Sequence, residues 1–476
     1  MKKLFGFLLL LALPVRSAVQ PPQAGRPLVL THVTVIDATG APAQPDRTVV
    51  IRGDRISEIG PAATLRPPQD AQVVDGTGKF LIPGLWDMHV HWYNKDFFSL
   101  FIANGVTGIR VMWGGPFHQQ WRQEIERGDL PGPRMSIASP IVDGPNPIWP
   151  GSVTVKDAAE GRQIVIGLKP TGADFIKVYN RLPRDAYFAI LDEAKKQGIP
   201  VAGHVPDAVS AIEASDAGQQ SIEHFTGILE GCSTQEDEIR KAREEVWAHL
   251  GPGERIASVA SRRPLVRRML ETFSPEKADA LLAHLARNHT WQCPTLTVLR
   301  NLAFLDDPKT RDDPRLKYMP SDIRTAWNPK DDFRLKDRTP EDFELARTAY
   351  RRQMELVGRM RKAGVEILAG TDVINPYVFP GFSLHDELKL LVQAGLSPLE
   401  ALQTATRNPA RFLGREKDLG TVEKGKIADL VLLDASPLDD IGNSQKIQAV
   451  VVGGKLYPKA ELQQMLVRAE AASDGD

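Results

Sequence analysis

Two histidines, His89 and His91, stand two residues apart at the end of the apolar run "LIPGLWDMHVH". On a strand, residues i and i+2 point to one face, so both imidazoles share a side while Val90 turns the other way. Two imidazoles so placed form a metal-chelating pair. An H-x-H pair alone is only moderately specific, but it has company: His204 ends "IPVAGH", His224 ends "SIEH" and Asp372 ends "VEILAGTD". Imidazoles and a carboxylate together suit a borderline divalent ion such as zinc, with one position left open for water. Lys177 in "ADFIKVYN" belongs to a similar apolar run. An unpaired buried ammonium is costly, so this lysine must be paired, neutralised or modified. Carbamylation by carbon dioxide would make it a carboxylate able to bridge two metals; pairing with Asp372 or reaching out to solvent are the alternatives.

Residues so far apart in sequence meet only if a repetitive scaffold carries each of them to one place. From Leu85 to about Leu413, apolar runs such as "GVTGIRVMW", "FIKVY" and "SIEHF" alternate with helical stretches such as "RDAYFAILDEAKKQG". This cadence predicts an α/β fold with a parallel sheet closed as a (β/α)₈ TIM-type barrel. Active sites of such barrels lie where the carboxyl ends of the strands meet their loops, which is where each candidate ligand falls. The β-branched runs from Leu28 to about Val74 and again after residue 415 read as strands of a small β-sandwich domain built from both chain ends. The expected division is a signal peptide over 1–18, one part of the sandwich over 19–80, the barrel over 81–415, and the rest of the sandwich with a tail over 416–476. Two stretches, from about Ser233 to Leu282 and from Asp306 to Asp342, read as insertions that either cover the barrel mouth or pack on the surface.

Composition narrows the function classes. Among 476 residues, 42% are apolar and 25% charged, which is ordinary for a soluble globular chain. A net charge of -1 argues against a nucleic-acid partner, which calls for a basic surplus. Lys2 and Lys3, the apolar run Leu4 to Leu13 and the small residues Ser17 and Ala18 form a secretory signal pattern. A secreted or periplasmic protein beginning near Ala18 or Val19 is expected, with no membrane association after cleavage; an uncleaved anchor is the alternative. Cys232 and Cys293 are too few for a disulfide framework and read as isolated buried thiols, although their pairing stays open.

The landmarks "LIPGLWDMHVH", "NGVTGIR", "GADFIKVY", "AGHV", "SIEH", "AGTD", "SLHDELKLLVQAGLSPLEALQTATRNPARFLG" and "DLGTVEKGKIADLVLLD" carry a resemblance. From about Leu28 to Tyr457 the chain resembles the amidohydrolase superfamily, within it the imidazolonepropionase-like and Xaa-Pro dipeptidase-like group. The resemblance implies a barrel with a flanking β-sandwich, in which His89 and His91 bind one metal with Asp372, His204 and His224 bind a second, and carbamylated Lys177 bridges them. Two zinc ions are implied, although some relatives work with one. Asp372 then serves as general base and acid toward a metal-activated hydroxide.

Tyr179, two beyond Lys177 and on the same face, is the candidate donor to a tetrahedral oxyanion and to substrate, with a packing role as its alternative. Arg110 in "GIRVMW" is the candidate for a substrate carboxylate, or else pairs with a structural Asp. His385 and Glu387 read as support for the site wall, and His32, His118, His249, His284 and His289 as surface or core residues. The expected reaction is hydrolysis of an amide C–N bond in a small molecule, a dipeptide or N-acyl amino acid. A cyclic amide, a lactone or a xenobiotic amide such as a mycotoxin is the alternative, and a catalytically silent binding protein is the reading from another class. Aromatic and Pro-rich loops predict an apolar pocket for a bulky side chain. Association into a homo-oligomer stays open.

Overall fold

The computed structural model describes residues 26–250 and 256–474, apart from 329, 331, 333 and 336. The expected signal segment lies outside the described residues. Strands from both chain ends share one eight-stranded sheet, ordered Lys455–Pro458, Ile447–Val452, Leu430–Leu433, Phe80–Pro83, Leu28–Val35, Gln44–Arg52 and Arg55–Pro61, with Gln72–Asp75 paired to Leu28–Val35. The two ends join where Leu81 faces Leu432 and Ile82 faces Val431 in antiparallel register. Leu28, Leu30, Val33, Leu81, Leu430 and Leu432 bury one apolar face of this sheet, by period-two alternation in Leu28–Leu30 and Leu430–Leu432 and by a register shift between Leu30 and Val33.

Between these ends the chain is α/β with parallel sheets. One contains Leu85–Val90, Val106–Val111 and Arg134–Ile137; the other orders Val153–Thr154, Val142–Asp143, Ile176–Val178, Val201–Gly203, Ser221–Glu223 and Trp291–Cys293. Isolated parallel bridges add Ala138 to Phe175, Gln292 to Ile367 and Val90 to Val373. These strands are buried on both faces, as expected of parallel strands covered by helices.

Helix Arg184–Gln197 illustrates how the covering layer forms. Ala186, Tyr187, Ile190, Leu191 and Ala194 make a buried stripe at helical spacing, Asp185 sits in the first turn, Lys195 and Lys196 sit in the last, and Gly198 ends the helix at φ 63°. The first expected insertion contains helices Glu236–Ala248 and Val259–Glu271 and the start of Pro275–Arg287. The second contains the short helices Pro308–Arg311 and Ser321–Ala326 before helix Pro340–Ala363, which starts on a Thr339–Asp342 capping box. No described helix is long and apolar enough to cross a membrane.

Candidate metal centre

Five of the six candidate ligands sit at strand ends, and Asp372 sits next to an isolated parallel bridge. His89 lies within Leu85–Val90 and His91 just beyond it; Lys177 lies within Ile176–Val178; His204 follows Val201–Gly203 and His224 follows Ser221–Glu223. Asp372 falls beside Val373, whose bridge partner is Val90. His224 and Asp372 take left-handed backbone, φ 57° and 61°, a strained conformation for residues with side chains. Two glycines let the backbone come close. A Cβ on Gly370 would stand 2.5 Å from Cys293 Sγ and 2.9 Å from His89 Cβ, and one on Gly203 would meet the Val178 carbonyl oxygen at 2.2 Å.

The structure brings these groups together. His89 Nε2 is 3.3 Å from His91 Nε2, and the two nitrogens lie 3.4 and 3.3 Å from Asp372 Oδ1. His224 Nε2 is 3.9 Å from Asp372 Oδ2, and its ring centre lies 5.0 Å from that of His204. Three of the imidazoles are held by the opposite nitrogen: Nδ1 of His89 lies 2.7 Å from Glu223 Oε2, that of His204 2.7 Å from Asn180 Oδ1, and that of His224 2.6 Å from Thr295 Oγ1. A carboxylate and an amide carbonyl accept, so they place the proton of His89 and His204 on Nδ1 and leave Nε2 with a lone pair. Thr295 donates its own hydroxyl proton to the Pro294 carbonyl, which makes its oxygen the acceptor for His224 as well.

Electrostatics agree with neutral ligands. Burial, reinforced by Lys177 and neighbouring imidazoles, holds His89 and His204 well below the usual imidazole range, and burial brings His224 to about 4. Burial works to raise Asp372, but His224, His91 and Lys177 together hold its carboxyl below the ordinary value. Lys177 is fully buried, its Nζ finds no hydrogen-bond partner among the described residues, and burial pushes it down to about 8. His89, His91 and Asp372 offer ligand atoms within 4.8 Å of one another. The imidazoles of His89, His91 and His224, each with Nε2 within 4 Å of one carboxylate and beside an orphaned amine, are a donor set that fits divalent metal. A second grouping, His89, Glu223 and Cys293, lies on the Nδ1 side of His89, where Glu223 is already engaged.

The centre opens into a cavity of about 520 Å³ lined by His91, His204, His224, Asp372 and Tyr179 at its base. Its walls are largely aromatic and aliphatic: Tyr93, Trp113, Trp149, Ile141 and Ile374, with Ile323, Ala326 and Trp327 supplied by the second insertion. Asp332 and Arg334, from the same insertion, also face it and pair with each other at 2.6 Å. Tyr179 lies beside the centre, its ring 4.0 Å from that of His204. Trp149 Nε1 donates to the Tyr179 hydroxyl oxygen at 2.8 Å, which leaves the phenolic proton free to be given elsewhere; burial raises the phenol above its usual range and keeps that proton in place.

Arg110 corrects the sequence-based expectation. Its guanidinium is fully buried outside the cavity wall and donates to the Met88 carbonyl at 2.6 Å, to Ser221 Oγ at 3.0 Å and to both oxygens of Glu223 at 2.9 Å. Every face of it is engaged, so no substrate carboxylate reaches it, and its partner is Glu223. Glu223 itself had gone without a role, although alternation puts it on the same inward face as Ser221. Asn180, Thr295 and Trp149 lie in loops where no periodic pattern marks them. His385 is buried between Ser444 Oγ and the Asn104 carbonyl, and Glu387 accepts from the backbone N–H groups of Leu296 and Thr297, next to Thr295. Cys232 and Cys293 are free and buried.

The sequence model of the Amidohydrolase family matches residues 80–457. Ochratoxinase of Aspergillus niger is 24% identical over 511 aligned positions, covering 91% of this chain and 89% of that protein. Among solved structures, bottromycin amidohydrolase superposes with a TM-score of 0.74 at 25% identity, over 95% of this chain and 91% of its own. A Xaa-Pro dipeptidase crystallised with methionine in its active site superposes with a TM-score of 0.65 at 20% identity, over 91% of this chain and 100% of its own. Neighbours of this kind imply a TIM-type barrel.

Proposed function

The chain belongs to the amidohydrolase family and is a hydrolase acting on carbon–nitrogen bonds, and from that premise we propose that it cleaves the amide of a dipeptide or N-acyl amino acid at a metal centre. The observation that carries this reading is the orientation of the imidazoles: His89, His204 and His224 are each tied through Nδ1, which leaves Nε2 to bind, and Nε2 of His89 and of His224 lies 3.4 and 3.9 Å from the Asp372 carboxylate. In this reading His89, His91 and Asp372 would hold one divalent ion, zinc by donor type, His204 and His224 would hold a second, and Lys177, as its carbamate, would supply a further carboxylate ligand. A lysine held near 8 keeps a fraction of free amine at neutral pH, and the free amine is the form that combines with carbon dioxide. Bound divalent metal supplies Lewis-acid charge at the scissile carbonyl and acidifies water.

The protein's own groups do the rest. Asp372, ionised and one face open to the cavity, takes a proton from the attacking water and passes it to the leaving nitrogen. Tyr179 donates its hydroxyl proton toward the developing oxyanion, aligned by Trp149. The apolar walls exclude water and seat a bulky side chain. The likeness to ochratoxinase favours one second reading, in which the same centre opens a xenobiotic amide such as a mycotoxin.

We read the three isolated parallel bridges as closure of an eight-staved barrel over 81–415, and the sheet from 19–80 and 416–476 as its flanking β-sandwich. The same reading has the chain exported to the periplasm or medium behind 1–18, acting on small molecules rather than nucleic acid or membrane. Metal analysis of the purified protein together with a screen of N-acyl amino acids, dipeptides and mycotoxin amides tests it. Tight metal with turnover of aromatic N-acyl amino acids supports the reading; no metal uptake and no turnover overturns it.

A further inference from the structure

Helix Glu236–Ala248 belongs to the first insertion, and none of its residues lines the cavity. Its Arg243 nevertheless reaches inward. One guanidinium nitrogen lies 3.3 Å from Asp207 Oδ1 and another meets Glu230, both acids being largely buried. Asp207 Oδ1 accepts from Asn180 Nδ2 at 3.2 Å, and Asn180 Oδ1 lies 2.7 Å from His204 Nδ1. These contacts have one consistent polarity. An ionised carboxylate only accepts, so Asn180 must turn its NH₂ group to Asp207 and its carbonyl to His204. The carbonyl in turn requires the imidazole proton on Nδ1, which leaves the lone pair on Nε2. Arg243, permanently charged, favours the ionised form of Asp207 and fixes where it stands. The guanidinium of Arg181, the residue after Asn180, lies 5.2 Å from the ring centre of Trp247 on the same helix, so the helix touches the loop that carries Asn180 as well as the one that carries Asp207.

We infer that Arg243, Asp207 and Asn180 are positioning residues that set the tautomer of His204, making the insertion helix a working part of the metal centre. The inference rests on the reading of His204 as a metal ligand. Without a charged partner, Asn180 is free to rotate its amide and offer NH₂ to Nδ1; the proton then moves to Nε2 and the lone pair is lost.

The test uses the full mature protein with cobalt(II) as the probe, its affinity read by chelator competition and its coordination by visible absorption, alongside the unfolding midpoint without metal. Asp207→Asn and Arg243→Met should bind the more weakly held cobalt about 10- to 100-fold less tightly, with a changed absorption band. Arg243→Lys, which keeps the charge, should recover part of the loss. Asp237→Asn, on the exposed side of the same helix with a side chain 90% accessible, should match the parent. Parent-like affinity and absorption in both Asp207→Asn and Arg243→Met would overturn the inference, as would an equal loss in Asp237→Asn. A parent that takes up no cobalt would fail differently, removing the metal-centre reading and the relay with it.

Discussion

Replacing Arg110 with Met separates a substrate-binding arginine from a buried structural one. The side chain is inaccessible, and its four contacts go to Met88, Ser221 and both oxygens of Glu223. Met fills much of the volume but takes the guanidinium away from the buried Glu223 carboxyl, which keeps its hydrogen bonds with the imidazole of His89 and the hydroxyl of Ser221. Removing one partner of a buried ion pair costs about 3–5 kcal/mol, roughly two to three and a half powers of ten in the folding equilibrium. Metal-free Arg110→Met should therefore unfold at clearly lower temperature and denaturant than the parent, by calorimetry and urea titration at pH 7. Arg110→Met with Glu223→Gln should recover part of that loss, because both charges are gone. A variant as stable as the parent whose only defect is a raised KM for carboxylate-bearing substrates would refute this account of Arg110.

Lys177→Ala should lose most metal and activity, and a short carboxylic acid filling the gap should restore part of both; unchanged metal content would leave the bridging role without support. Tyr179→Phe should lower kcat by about 10²–10³ with little change in KM, and Trp149→Phe, which deletes only the donor at 2.8 Å, should lower it less; a loss confined to KM in either variant would contradict the oxyanion role. Burial raises Glu387 to about 7 from an ordinary 4.5, so the folded state keeps a proton that the unfolded chain has released. That contribution is fully present below about 4.5 and lost as pH rises through 7, so the stability advantage of the parent over Glu387→Gln should shrink between those values, measured as the difference in Tm; a constant difference would contradict it.

Period-two and helical spacing by themselves placed His89, His91, His204, His224, Asp372 and Lys177 at strand ends, because alternation and strand-to-loop boundaries are local properties that a sequence displays directly. The same periodicity marked helix Arg184–Gln197 and the strands at both chain ends. Arg110 shows the limit: its strand and inward face were legible, but whether an inward guanidinium meets substrate or acid depends on which residue the neighbouring strands bring opposite, here Ser221 and Glu223. The outer partners Asn180, Thr295, Trp149 and Arg243 were hidden for a related reason. Each lies outside the strands, and its role comes from hydrogen bonds or ion pairs to residues distant in sequence. Residue type and spacing determine which groups enter the interior; tertiary packing alone decides which of them face each other, because a contact between distant segments leaves no period in either one.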